Sequence, residues 1–120
     1  MRNPLFPGDP RSVGDDPDYR FTLANERTFL AWVRTALALA AGGLAAVAVL
    51  DDFPGEEALG LTLLVMGFLT AAASYRRWAL NERAMRLDQP LPHSRLPLLM
   101  AVAVAIVAVL ATVLLVVDAA

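Results

Sequence analysis

Three uncharged, mostly apolar runs alternate with short polar segments along this chain, and the lengths of the runs predict what they are. Thr35 to Leu50 is sixteen residues without a charge, Ala58 to Tyr75 is eighteen, and Leu98 to Val117 is an unbroken apolar twenty. As α-helices at ~1.5 Å per residue they reach ~24, ~27 and ~30 Å, against a hydrocarbon core ~30 Å thick. Three membrane spans are therefore expected, over about residues 28–50, 58–77 and 97–117. The first run is the shortest, which draws Arg34 inside the membrane boundary.

The polar segments supply the ends of these helices. Pro17-Asp18 is a helix start, with Asp18 as N-cap near the positive end of the helix dipole. Asp51 and Asp52 pin the far end of the first span, and Asp51 to Glu57 reads as a tight acidic turn. Beyond the second span the helical pattern continues from Trp78 to Leu87 until Pro90 and Pro92 stop it. Ser94 can cap a third helix with Pro97 in its first turn. Residues 1–17 carry four prolines, two glycines and three aspartates with little to bury, so they are expected to be a flexible tail on a membrane domain of residues 18–120. That tail has no apolar core of the kind a signal peptide needs, and none is expected to be cleaved. The fold class is thus all-α, an integral membrane three-helix bundle.

Composition agrees, at 58% hydrophobic residues in 120, too apolar for a small water-soluble fold. Charge then sets an orientation. All ten basic residues are arginine, and none lies between Thr35 and Tyr75. Arg2, Arg11, Arg20, Arg27 and Arg34 precede the first span, and Arg76, Arg77, Arg83, Arg86 and Arg95 lie between the second and third. Arginine excess marks the cytoplasmic side, so the N-terminus is expected inside and the C-terminus outside. Trp32, Tyr75 and Trp78 sit where interfacial aromatics anchor a span.

The first helix has two faces. Arg20, Arg27 and Arg34 are spaced by seven residues, which an α-helix rotates by only about 20° per step, so three guanidinium groups stand in one column. Ala38, Gly42, Ala45 and Ala48 share that side, while Phe29, Leu30, Val33, Leu37, Leu44 and Val47 make a bulkier one. Small residues four apart, as in Ala31-Thr35 and Ala38-Gly42, let helix backbones approach closely within lipid. Charge at membrane depth is costly and points to function, although snorkelling to headgroup phosphates is the plainer account of Arg34. Three helices make too little interior to hide the column, so a symmetric homo-oligomer around a wet axis is expected, with the arginines stacked as basic rings of the kind that line anion-selective pores. The tripeptide Asn-Glu-Arg occurs at Asn25 to Arg27 and again at Asn81 to Arg83, which invites cross-pairing of Glu26 with Arg77 or Arg83 and of Glu82 with another arginine.

Much is excluded. There is no cysteine and a single histidine, His93. Without paired carboxylates, a nucleophile with its base, a metal-spaced cluster or a glycine-rich phosphate loop, the chain is expected to be no enzyme, with no metal, no cofactor and no nucleic-acid partner.

The stretch LANERTFLAWVRTALALAAGGLA, from Leu23 on, resembles the signature of the YidH family of small bacterial inner-membrane proteins, a domain of unknown function that is similar to the membrane domain of the yeast vacuolar transporter chaperone subunits. Asn25-Glu26-Arg27-Thr28-Phe29-Leu30 and Trp32 carry the match. The resemblance implies a ring of five protomers around a polyphosphate-conducting channel in the inner membrane. Glu26 and Arg27 match the central acidic and basic positions of the motif, Arg20 a basic channel residue one heptad earlier, and Arg76 or Arg77 the basic end of the second span. Arg34 matches arginine in many bacterial members and not in the yeast proteins. No polymerase domain fits in 120 residues. The expectation is a homo-oligomeric path for anions such as phosphate or polyphosphate, lined by Arg20, Arg27, Arg34, Arg76 and Arg77 and supported by Glu26 and Arg83, with Ala31, Thr35, Ala38 and Gly42 in helix packing. The alternative is an assembly subunit that scaffolds an unknown protein partner and moves nothing. Recognition of anionic lipid by the basic ends is a third reading.

Overall fold

The computed structural model describes residues 7–50, 52 and 54–120. A short 3-10 helix at Pro10–Ser12 is followed by three long helices, α1 at Tyr19–Val49, α2 at Glu56–Arg86 and α3 at Leu96–Ala119, with no strand among the described residues. The Asp18 side chain accepts the backbone N–H of Arg20 at 2.9 Å and so starts α1. Asp51 and Phe53, two residues of the acidic turn, lie outside the described residues. Within that turn Asp52 and Gly55 take left-handed backbone angles, φ 61° and 81°, and Gly55 starts α2.

α1 and α2 have 31 residues each, or ~46 Å of helix, so both cross a ~30 Å core and project ~15 Å beyond it at the arginine-bearing end. They form an antiparallel hairpin whose seam is built from the smallest side chains. A Cβ on Gly43 would stand 2.6 Å from the Gly60 carbonyl oxygen, one on Gly60 2.8 Å from that of Gly43, and one on Gly67 2.8 Å from that of Ala36. Ala36 and Gly43 on α1, and Gly60, Gly67 and Ser74 on α2, are buried at seven-residue intervals. This is the 3.5-residue period that keeps one helix face against a partner. The packing set expected from the sequence is not in the α1–α2 seam. Ala31 and Ala38 are exposed, Thr35 turns its hydroxyl back to the Ala31 carbonyl at 3.3 Å, and Gly42 is half-buried. Backbones meet at Gly43 because its partner Gly60 also lacks a side chain, whereas Gly42 faces Leu63.

Above this seam the hairpin carries an aromatic layer, with the ring centroids of Phe29 and Trp78 6.2 Å apart and those of Tyr75 and Trp78 5.8 Å apart. Phe29 lies twenty residues from Val49, ~30 Å along the helix, where hydrocarbon gives way to headgroups and aromatic belts are found.

α3 is different. It leans on α2, does not touch α1, and has no buried residue. A helix apolar on every side and only partly covered by α2 is one that lipid covers.

Residues 9–16 dock on the end of α2. The Arg86 guanidinium donates to the carbonyls of Val13 at 2.8 Å and Arg11 at 3.1 Å and pairs with Asp16 at 2.7 Å, while its own carbonyl accepts the N–H of Asp15 at 3.1 Å. Its side chain is only 10% exposed. Gly14, at φ +60°, has no room for a Cβ against the Arg86 carbonyl. The Asp9 carboxyl is held below its ordinary value by the backbone N–H of Arg11, with the Arg11 guanidinium assisting. The tail expected from prolines and glycines thus has a docked part, because one arginine collects its carbonyls. Residues 1–6 lie outside the described residues.

Candidate functional site

Arg20, Arg27 and Arg34 form one column and all three are exposed. At about 100° per residue the column stands opposite the positions that face α2, since Asn25, Ala36 and Gly43 fall 160–180° from Arg27. Arg20 pairs loosely with Asp18 at 3.6 Å, both side chains being solvent-exposed. Arg27 and Arg34 form no ion pair among the described residues. Counted from Val49, Arg34 lies ~22 Å, Arg27 ~33 Å and Arg20 ~44 Å along the helix, so the column runs from within the hydrocarbon, through the headgroups, and out into water.

The other two arginines expected in the path are not in that column. Arg77 lies over the Trp32 ring, 5.8 Å from its centroid, a contact worth about 0.5–1 kcal/mol near a surface. Arg76 and Arg77 both line a cavity against the start of α3. Within the chain the five arginines are split between the open side of α1 and the α2–α3 side.

The expected pairing of Glu26 with Arg83 is likewise not among the ion pairs of the described residues. Glu26 is exposed and Arg83 half-buried. The carboxylate that the hairpin buries is Glu82, at 3% exposure. Among the described residues it pairs with no arginine. One oxygen accepts the Thr22 hydroxyl at 3.0 Å and the other the Asn25 amide at 3.5 Å. Asn25 also donates to the Trp78 carbonyl at 3.0 Å and accepts from Asn81 at 3.4 Å. This clasp joins α1 to α2 beyond the aromatic layer, where the hairpin leaves the hydrocarbon. A signal for it was present in the sequence: Thr22, Asn25, Phe29, Trp32, Ala36, Leu39, Gly43 and Ala46 alternate steps of three and four, and that rhythm puts Thr22 and Asn25 in the seam.

Three helices long and apolar enough to cross a bilayer, with interfacial aromatics and a polar clasp at one end, define a multi-pass integral membrane protein. Residues 20–84, which contain the whole arginine column, the seam and the clasp, match the family described as Domain of unknown function (DUF202). The chain is 46% identical over 107 residues to the uncharacterized protein Rv2272 of Mycobacterium tuberculosis, covering 87% of this chain and 88% of that protein. It is 44% identical over 101 residues to the inner membrane protein YidH of Escherichia coli K12, covering 82% and 88%. This chain belongs to the YidH family, and its location is the inner membrane. No solved structure matches it.

Proposed function

We propose that this protein forms a homo-oligomeric path for anions in which α1 of each protomer turns the column Arg20, Arg27 and Arg34 toward a shared, hydrated axis. The observation that carries the reading is the place of the column opposite the α2 seam. Burying the hairpin's own contact leaves the arginines outward, and an unpaired arginine at the depth of Arg34 needs water or a partner. A ring supplies water at its axis. The exposed side of α1 also keeps a seven-residue period of its own. Leu23, Leu30, Leu37 and Leu44 line one flank of the column, 51–65% exposed, and Ala24, Ala31, Ala38 and Ala45 lie along the other. Leucines of one copy against alanines of the next make a heterologous contact that closes into a ring when repeated.

Phosphate or polyphosphate is the favoured anion class through the resemblance to the vacuolar transporter chaperone subunits, and five is the corresponding number of protomers. The column would begin on the cytoplasmic side, in keeping with the arginine distribution. The protein would carry out no catalysis. Arg76 and Arg77 stand outside this path, beside α3.

The test is native mass spectrometry of the protein released from nanodiscs, followed by anion flux in liposomes. One closed ring is expected, with flux abolished by Arg27→Glu and by Arg34→Glu while insertion is unchanged. A monomer or dimer, or undiminished flux in both variants, overturns the reading.

A further inference from the structure

Between α2 and α3 the structure holds an amphipathic groove that the proposed path does not use. Its upper part is a cavity of about 380 Å³ at the start of α3, lined by Arg76, Arg77 and Asn81 of α2 and by His93, Ser94 and Arg95 of the connecting segment. Among the described residues three arginines line it and no carboxylate does. Its lower part is a crevice of about 220 Å³ with Met66, Leu69, Met100 and Ala103 in its walls. Ala73, Leu96 and Leu99 line both, so the two spaces adjoin. Arg76 is twenty residues from Glu56, ~30 Å along α2, which sets the basic cavity at headgroup level and the crevice within the hydrocarbon.

We propose that this groove binds one anionic phospholipid, its phosphate held by Arg76, Arg77 and Arg95 and one acyl chain lying in the crevice. The charge of the upper part is complementary to a phosphodiester, and guanidinium forks match phosphate oxygens. A free phosphate would fill only that upper part. The crevice below, walled by aliphatic carbons, two flexible thioethers and Thr70, whose hydroxyl donates to the Met66 carbonyl at 2.7 Å, takes a chain of adaptable shape. The standing of α3 agrees with this occupant. The helix has no buried residue, and it approaches α2 at the cavity and again far below, where a Cβ on Gly55 would lie 3.4 Å from Leu114. A lipid between these places joins α3 to the hairpin. The inference does not depend on the α1 column conducting anything.

The test uses the full chain in nanodiscs of phosphatidylcholine containing phosphatidylglycerol, released into native mass spectrometry. One phosphatidylglycerol retained per chain is expected. The double variant R76Q/R95Q removes two charge-assisted contacts and should lower retention at least about tenfold. A103F fills the crevice without touching the arginines and should lower retention as well, with the Trp32 and Trp78 emission and melting of the hairpin unchanged in both variants. Equal retention of phosphatidylcholine and phosphatidylglycerol, or full retention in either variant, overturns the proposal. Inorganic phosphate at millimolar concentration is the second probe. If it binds wild type and A103F alike and phosphatidylglycerol is not retained, the cavity is a plain phosphate site and the lipid assignment falls.

Discussion

Asn25-Glu26-Arg27 and Asn81-Glu82-Arg83 are the same three residues on two helices that lie against each other, and their side chains come to opposite ends. The asparagines meet, 3.4 Å apart. Glu26 is exposed while Glu82 is 3% exposed, and Arg27 is open where Arg83 is half-covered. What packs beside each residue makes the difference, not its phase on the helix. Asn25 and Asn81 hold the same position relative to the small residues of their own seams, about 20° from Ala36 and from Ser74, and the two glutamates and the two arginines follow them alike. Glu82 is covered where Thr22 and Asn25 of α1 reach its carboxylate, whereas Glu26 stays exposed. A tripeptide therefore carries no environment of its own. Its neighbours across the hairpin assign one.

This contrast can be broken most forcefully at the two glutamates. Glu82→Ala leaves the Thr22 hydroxyl and one Asn25 N–H buried without their acceptor, and it should cost about 1.5–3 kcal/mol of hairpin stability. Glu26→Ala should change it by no more than about 0.5 kcal/mol. Unfolding both variants in micelles, followed by tryptophan emission, gives the two values side by side; equal losses would erase the distinction. The asparagines come next. Asn25→Ala removes three hydrogen bonds at the centre of the clasp and should cost about 1–2 kcal/mol, while Asn81→Ala removes one long one and should cost about 0.5 kcal/mol. A larger loss at Asn81 would mean that the clasp centres on α2.

The smallest global effect is expected at Gly14. Gly14→Ala sets a Cβ against the Arg86 carbonyl at a left-handed φ, so the segment around Pro10–Ser12 should release from α2. Cleavage by trypsin after Arg11 should accelerate while the hairpin melts within about 0.5 kcal/mol of wild type. Loss of the hairpin along with the segment would show that burial of the second tripeptide depends on the docked residues.

Hydropathy and capping chemistry made three helices legible before any coordinates. Runs of sixteen to twenty uncharged residues have few ways to satisfy their backbone in lipid, and Asp18 marks where α1 starts. The arginine column was legible too, because seven-residue spacing on a helix is a local property. The seam of the hairpin was not. Ala31, Thr35, Ala38 and Gly42 satisfy the small-residue rule as well as Ala36, Gly43 and Ala46 do, and only the presence of Gly60 and Gly67 on the opposing helix selects the second set. For the same reason Glu82 could not be told from Glu26, nor Arg86 from any other boundary arginine, until partners far along the chain were in place. Number, length and polarity of the helices follow from the free energy of moving each segment from water into lipid, which is a sum over its own residues. Which side chain is buried, and against what, follows from the packing of α1 on α2, a property of neither helix alone.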